Sequence, residues 1–335
     1  MDYITQMEDR ANAVEFHDLQ TCFFTQNGTV RAVDGVSFAV PKGKIVGIVG
    51  ESGCGKSVTG LSLMGLLPQK RSRITGGQIL LNMDTHVLDL TKLPEKAFRQ
   101  LRGGDLAMIF QEPMTALNPV LSIGKQLSES IRLHDPTADP TKKALTLLTT
   151  VGLPDPRRLM KQYPHNLSGG QRQRVCIAMA LAGGPRLIVA DEPTTALDVT
   201  VQAQILSLLR ELTDRLGTAV MLITHDLGVV ATVADLVVVM YAGRVVEQGT
   251  VEEIFRAPAH PYTLGLMASK PVVGKKTDTL FYIPGTVPSP LELPKNCYFY
   301  PRCDRRHRLC DGSYPALIRL SPTHTVSCYR EGDAL

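Results

Sequence analysis

Eight consecutive residues, Gly50-Glu51-Ser52-Gly53-Cys54-Gly55-Lys56-Ser57, fit the pattern G-x-x-x-x-G-K-[ST]. Glycines allow a tight loop whose backbone N–H groups turn inward, and a helix starting at its end adds partial positive charge, so the segment is suited to cradle phosphate oxygens. Lys56 is placed to neutralise β- and γ-phosphates, and the Ser57 hydroxyl to ligate Mg2+. The flanks supply the context such a loop needs: an apolar strand over Ile45–Val49 before it and a helical stretch over Ser57–Leu67 after it. A glycine-rich turn without a ligand is the plainer alternative, and these flanks weigh against it.

Two further segments carry chemistry. Leu187-Ile188-Val189-Ala190-Asp191-Glu192 is an apolar strand ending in two acids. Beside a phosphate-binding loop, Asp191 suits the holding of Mg2+ and Glu192 the polarisation of an attacking water. Alone the pattern is weak, because many strands end in acidic loops. Leu167-Ser168-Gly169-Gly170-Gln171 offers a second phosphate-sized nest at a helix start, with Ser168 as an ordinary N-cap when no ligand is present. One protein has no use for two cradles around a single γ-phosphate unless they close on it from opposite sides.

The elements that position these residues alternate. Short β-rich runs (Ile45–Val49, Leu106–Phe110, Leu187–Ala190, Ala219–Ile223, Leu236–Met240) are separated by helix-length segments, an α/β pattern. A mostly helical stretch over about 114–181 interrupts the strands and reads as an inserted subdomain. Beyond Pro258 regular periodicity ends: ten of the 22 prolines lie between Pro258 and Pro322, which marks a boundary to a small loop-rich module. At 335 residues the chain has length enough for a proper core. No apolar run approaches the roughly 20 residues of a membrane span. Met1–Arg10 lacks the basic and apolar regions of a secretory signal, so a cytosolic chain is expected. The net charge of +4 is spread rather than clustered, which argues against nucleic acid as a partner.

The ordered set resembles the ATP-binding cassette (ABC) ATPases: the loop at Gly50–Ser57, Gln111 after a strand, Leu167–Gln171, Asp191-Glu192, the turn Ala196-Leu197-Asp198, and His225 in Ile223-Thr224-His225-Asp226. The resemblance covers residues 14–257 and implies an ABC-type P-loop cassette with the helical insertion at about 114–181. It implies ATP and Mg2+ as ligands, held by the P-loop residues and by Ser57, Gln111 and Asp191. Glu192, His225 and Gln111 are then the catalytic group. The family pairs cassettes head to tail, so Ser168, Gly169, Gly170 and Gln171 would complete the partner's site. An aromatic residue upstream of the loop stacks on adenine in this family; Phe23 is the candidate and Phe24 its competitor, and either ring could instead be core. Cys54 occupies a variable loop position, with sensitivity to thiol reagents the expected consequence.

Four of the seven cysteines fall in the last 39 residues, as Cys297-x5-Cys303-x6-Cys310-x17-Cys328. In a reducing cytosol, thiolate ligation is favoured over disulfides. Four such ligands suit a [4Fe–4S] cluster or Zn2+, and free thiols are the third option; the spacing lacks the paired C-x2-C knuckles usual for structural zinc. Arg302, Arg305, Arg306 and Arg308 would offset a cluster's negative charge or form a solvated face. With His260-Pro261-Tyr262-Thr263 and Pro301-Arg302, residues 258–335 are similar to the C-terminal extension of the oligopeptide/dipeptide and nickel permease ATPases. Some members of that group hold an iron–sulfur cluster, so the resemblance implies the cluster on these cysteines. That narrower resemblance implies an ATPase subunit powering uptake of di- or oligopeptides, with nickel or a metal chelate as the alternative cargo. It also implies a second, homologous ATPase chain, two transmembrane permeases, an extracytoplasmic solute-binding protein, and a peripheral position on the cytoplasmic face of the membrane. A soluble ABC ATPase of ribosomes or DNA, and an iron–sulfur sensor with a regulatory ATPase, fit less well: there is no second cassette, and Glu192 and the Leu167–Gln171 segment are intact.

Overall fold

The computed structural model describes residues 3–195, 197–269 and 281–329, with backbone alone at 113 and 114. They form two compact units, one from Met1–Val14, Val40–Ile45 and Leu80–Ile223, the other from Glu15–Ala39, Val46–Ile79 and Thr224–Leu335.

The first unit is built on parallel strands. Leu187–Asp191 lies between Leu106–Ile109 and Ala219–Ile223, in register Leu106↔Leu187 and Leu187↔Ala219. Every residue of Leu187–Asp191 and of Ala219–Ile223 is buried. Strands covered on both faces can be apolar without alternation, which explains the continuous runs of the sequence. The helical insertion comprises Pro113–Ala116, Ile123–His134, Pro140–Thr150, Pro156–Leu159 and Gly169–Ala180. Caps set its longer helices: Ser122 Oγ accepts from Lys125 N, and Asp139 Oδ1 accepts from Thr141 N and Lys142 N with Pro140 at the first helical position. The helix Val199–Leu216 then starts on Asp198 and stops at Gly217 in the left-handed region. It buries Ile205, Leu208, Leu209 and Leu212, one stripe at helical spacing.

In the second unit the P-loop strand pairs in parallel with Leu236–Tyr241, Leu236↔Val46 through Val239↔Val49. A two-residue turn, Ala242 (φ 47°) and Gly243 (φ 85°), returns the chain as Arg244–Thr250, antiparallel to Leu236–Tyr241; two successive positive φ values give the twist that a tight hairpin needs. Long antiparallel strands, Asn12–Thr25 and Gly28–Pro41, are neighbours joined through Gln26-Asn27. On the second of them Val36, Phe38 and Val40 alternate inward.

Two expected strands are one residue longer in the fold, Leu187–Asp191 and Leu236–Tyr241, while Leu106–Ile109 is one shorter; the helix after the P-loop runs Lys56–Leu63 rather than Ser57–Leu67. The chain after Pro258 is more ordered than its composition suggests. It forms the helix Pro261–Ala268, and Thr325–Val326 pairs with Arg244–Thr250 at Glu247↔Val326. Nor do its cysteines alone hold it, for Tyr262, Tyr298 and Phe299 share a core with Val49, Val239 and Tyr241. No helix among the described residues is long and apolar enough to cross a membrane.

Candidate functional site

In the second unit the strand Ile45–Val49, buried at every position, delivers the chain to Gly50. Gly50 has φ 154°, and a Cβ there would run into the carbonyl oxygen of Met240, so no other residue fits without moving the loop. The loop ends on Gly55, which as N-cap of the helix Lys56–Leu63 has no side chain of its own to bond the helix's first N–H groups. Those groups and the helix dipole together attract an anion. Lys56 is 6% exposed, and its Nζ donates to Gly50 O (2.8 Å) and Glu51 O (3.0 Å), 3.7 Å from Cys54 Sγ. Ser52, Gly53 and Ser57 are exposed.

Cys54 departs from expectation. Its side chain is buried, and burial pushes its thiol up despite the opposing pull of Lys56. Reactivity requires an accessible thiolate, so the expected sensitivity to thiol reagents is reversed.

Glu51 is held by residues that spacing did not single out for this loop. Its N–H donates to Tyr262 Oη (2.8 Å), and its carboxylate takes both arms of Arg302, Nη1 to Oε2 at 2.9 Å and Nη2 to Oε1 at 3.1 Å. Arg302 is thus turned to the P-loop and not to the cysteines, a correction to its expected role. Thr224 N donates to Ile48 O (3.1 Å), which brings the exposed His225 to the end of the P-loop strand, just before Asp226 caps Leu227–Val233. Of the two aromatic candidates, Phe23 is half-buried and Phe24 exposed, with the Arg73 guanidinium 4.6 Å over its ring.

In the first unit Asp191 closes its strand opposite Ile223 and is buried. Glu192 follows at φ 45°. A left-handed conformation costs a non-glycine residue about 1–3 kcal/mol and collects at functional positions. The Glu192 carboxylate is held in place: Oε2 accepts from Gln111 Nε2 (3.0 Å) and Thr195 Oγ1 (2.8 Å), and its N–H donates to Ile223 O (2.9 Å). A carboxylate fixed beside a carboxamide can accept a proton from water while the amide orients that water.

Ser168 caps the helix Gly169–Ala180 through a reciprocal pair, its Oγ accepting from Gln171 N (3.3 Å) and Gln171 Oε1 from Ser168 N (3.0 Å). Ser168 and Gly169 are exposed. Gly170 has a packing reason as well, since a Cβ would stand 2.6 Å from Val201 Cγ1. In the turn Ala196-Leu197-Asp198, Ala196 lies outside the described residues, while Asp198 Oδ1 caps Val199–Leu216 by accepting from Val201 N (2.9 Å).

The four C-terminal cysteines are brought together. Cys297, Cys303, Cys310 and Cys328 line one cavity, which Arg305 and Arg306 also border. None of the seven cysteines is in a disulfide. Burial, reinforced by the neighbouring thiols, pushes Cys297 up to about 11. Four thiols facing one cavity are the donor set of a tetrahedral metal or a cubane cluster. They stand around it without converging: among the described residues no three His, Cys, Asp or Glu side chains are disposed to hold a metal ion as they stand.

Two family descriptions match the chain: "ABC transporter" over residues 33–195, and "Oligopeptide/dipeptide transporter, C-terminal region" over residues 246–310. The dipeptide transport ATP-binding protein DppD of Bacillus subtilis is 50% identical over 93% of this chain and 92% of its own length. The oligopeptide transport ATP-binding protein OppD of Salmonella typhimurium is 44% identical over 99% and 98%. Among solved structures, a dimeric ATP-binding cassette in a post-hydrolysis state bound to ADP and Pi is 27% identical, with a TM-score of 0.62, covering 71% of this chain and 98% of that one. The cbiO1 cassette of Clostridium perfringens is 28% identical, also with a TM-score of 0.62, covering 74% and 92%.

Proposed function

The chain belongs to the ABC transporter family, among its peptide-transport ATP-binding proteins, and from that premise we propose that it binds and hydrolyses ATP to power import of di- and oligopeptides. The observation that carries this reading is the second family match: a cassette alone serves many transporters, whereas residues 246–310 match the C-terminal region of oligopeptide/dipeptide transporters.

In this reading residues 14–257 are the ATPase and 258–335 its peptide-transporter extension. Gly50 to Ser57 cradle the triphosphate, Lys56 neutralises it, and Phe23 stacks on adenine. Ser57, Gln111 and Asp191 offer hydroxyl, amide and carboxylate oxygens, the hard donors that suit Mg2+; bound there, Mg2+ would neutralise charge on the β- and γ-phosphates. Glu192 takes the proton of the attacking water, Gln111 orients that water, and His225 contacts the γ-phosphate. Ser168 to Gln171 serve the partner's nucleotide, with Ser168 exchanging its capping bond for a phosphate. Closure on ATP and reopening after hydrolysis then drive two transmembrane permeases.

The partners follow from the same reading: a second, homologous ATPase, the permeases on whose cytoplasmic face this chain sits, and an extracytoplasmic solute-binding protein. The thiol cavity supports a [4Fe–4S] cluster on Cys297, Cys303, Cys310 and Cys328, or Zn2+ on the same ligands, as a staple of that end of the chain.

The test is uptake of a labelled dipeptide by cells carrying either the wild-type chain or Glu192→Gln. Loss of dipeptide uptake with free amino-acid uptake intact supports the reading; undiminished dipeptide uptake overturns it.

A further inference from the structure

Glu51 has all of its polar groups engaged within one unit. Its N–H goes to Tyr262 Oη, its carbonyl oxygen accepts from Lys56 Nζ, and its carboxylate takes both arms of Arg302. Arg302 in turn leaves no donor idle: Nε reaches Pro284 O (3.0 Å), Nη2 also reaches Ile283 O (3.1 Å), and Nη1 also approaches Tyr241 Oη (3.4 Å). Its side chain is only 5% exposed, and that of Glu51 is 27% exposed. A two-armed guanidinium–carboxylate pair fixes orientation as well as distance, and partial burial keeps water and salt from loosening it.

The consequence lies at Lys56. This lysine is placed by the carbonyls of Gly50 and Glu51, the first two residues of the P-loop. Glu51 is placed by Tyr262 and Arg302, more than 200 positions away in sequence. Neither partner needs to touch a nucleotide to set where the phosphate-binding ammonium stands.

We propose that Tyr262 and Arg302 are positioning residues for ATP: together they clamp Glu51 and so hold the P-loop backbone and Lys56 in the phosphate-binding geometry. The C-terminal segment is therefore a working part of the nucleotide site. Nothing in the phosphate-loop pattern requires this, because position 51 is one of its variable residues. The inference rests on the ATP-binding reading given above and adds residues to it.

The test is the equilibrium affinity of the full-length chain for a fluorescent ATP analogue with Mg2+, measured for wild type, Tyr262→Phe, Glu51→Gln, Arg302→Gln and the double variant Glu51→Gln/Arg302→Gln, with melting temperature read in parallel. Tyr262→Phe keeps the ring in its core and removes only the acceptor of the Glu51 N–H, so it reports on the clamp even if Arg302→Gln folds poorly. The expected result is affinity weakened several-fold in Tyr262→Phe and about tenfold in each single variant of the ion pair. The double variant is expected to be no weaker than the worse single, because both remove the same interaction. In the assembled transporter the same variants raise KM for ATP more than they lower kcat. Unchanged affinity accompanied only by a lower melting temperature overturns the proposal and leaves a purely structural tie, and so do fully additive losses in the double variant. A wild-type chain that binds no nucleotide fails at an earlier point, overturning the ATP-binding reading and this inference with it.

Discussion

Gln111 Nε2 donates to Glu192 Oε2 across 3.0 Å, tying the second residue after one parallel strand to the first residue after its neighbour. The bond joins the proposed water-orienting amide to the proposed general base. Glu192→Gln keeps the shape but removes the basicity, so hydrolysis should fall by roughly 10²–10⁴-fold while ATP still binds. Gln111→Ala leaves the base present and unguided, with a smaller fall of about tenfold, the effect of roughly 1.4 kcal/mol on a barrier. Steady-state hydrolysis beside nucleotide affinity checks both; equal losses in the two variants would contradict the division of roles.

Gly170 makes a separate prediction about packing. An alanine there places its Cβ 2.6 Å from Val201 Cγ1, and a β-branched side chain in a helix has little freedom to turn away. Overpacking costs about 1–3 kcal/mol, against a gain of up to about 1 kcal/mol from replacing a helical glycine. Gly170→Ala should therefore lower stability by up to about 2 kcal/mol. Adding Val201→Ala removes the clash and keeps the helical gain, so the double variant should recover stability in urea denaturation. No recovery would mean that Gly170 is required for another reason.

What the sequence made legible and what it hid follow from the range of the interactions. The P-loop, Asp191 and Glu192 could be read because each is a local pattern at the end of a strand, and Leu187–Ala190 and Ala219–Ile223 could be read because buried parallel strands are unbroken apolar runs. Asn12–Thr25 and Gly28–Pro41 are harder: the inward alternation of Val36, Phe38 and Val40 is broken just upstream, where Val33 and the charged Asp34 are both buried and Gly35 follows. The Glu51–Arg302 pair joins residues 251 positions apart, and the Asp34–Tyr298 hydrogen bond residues 264 apart. No spacing rule reaches so far, so a clamp on the P-loop could not be inferred even though both of its ends lie in segments that drew attention. Ser168 was legible as an N-cap, and the fold displays that cap.

Acid should loosen the C-terminal end through Glu253. Its carboxylate accepts from Thr250 N (2.8 Å) and from the hydroxyls of Thr250, Ser321 and Thr323, binding the helix Val251–Arg256 to the segment before Thr325–Val326. Desolvation pushes the carboxyl up, but these hydrogen bonds outweigh it and hold the group at about 2, below its ordinary 4.5. A depressed carboxyl contributes stability when charged. The contribution is full above about pH 4.5 and is lost as pH falls toward 2. Melting temperature should therefore drop more steeply between pH 5 and pH 3 in the wild type than in Glu253→Gln; parallel curves would show that other carboxylates dominate.

The cysteine cavity makes the last prediction. Four thiols border one cavity, and burial pushes Cys297 up to about 11, so without a ligand it is a neutral thiol at neutral pH, a form that is buried at little cost. Thiolate ligation reverses that situation by replacing each proton with a metal bond. Anaerobically purified full-length chain should contain about four irons and four acid-labile sulfides with broad absorption near 400 nm, the composition of a single [4Fe–4S] cluster. Cys303→Ser should lose most of the iron and also lower the melting temperature, since Cys297 and Cys303 pack against the core that Tyr298 and Phe299 share with Val49 of the P-loop strand. Stoichiometric zinc without sulfide would replace the cluster by a tetrahedral ion on the same ligands. Neither metal, with four thiols titrating freely, would rule out ligation here and leave the aromatic core of Tyr262, Tyr298 and Phe299 to hold this end of the chain by itself.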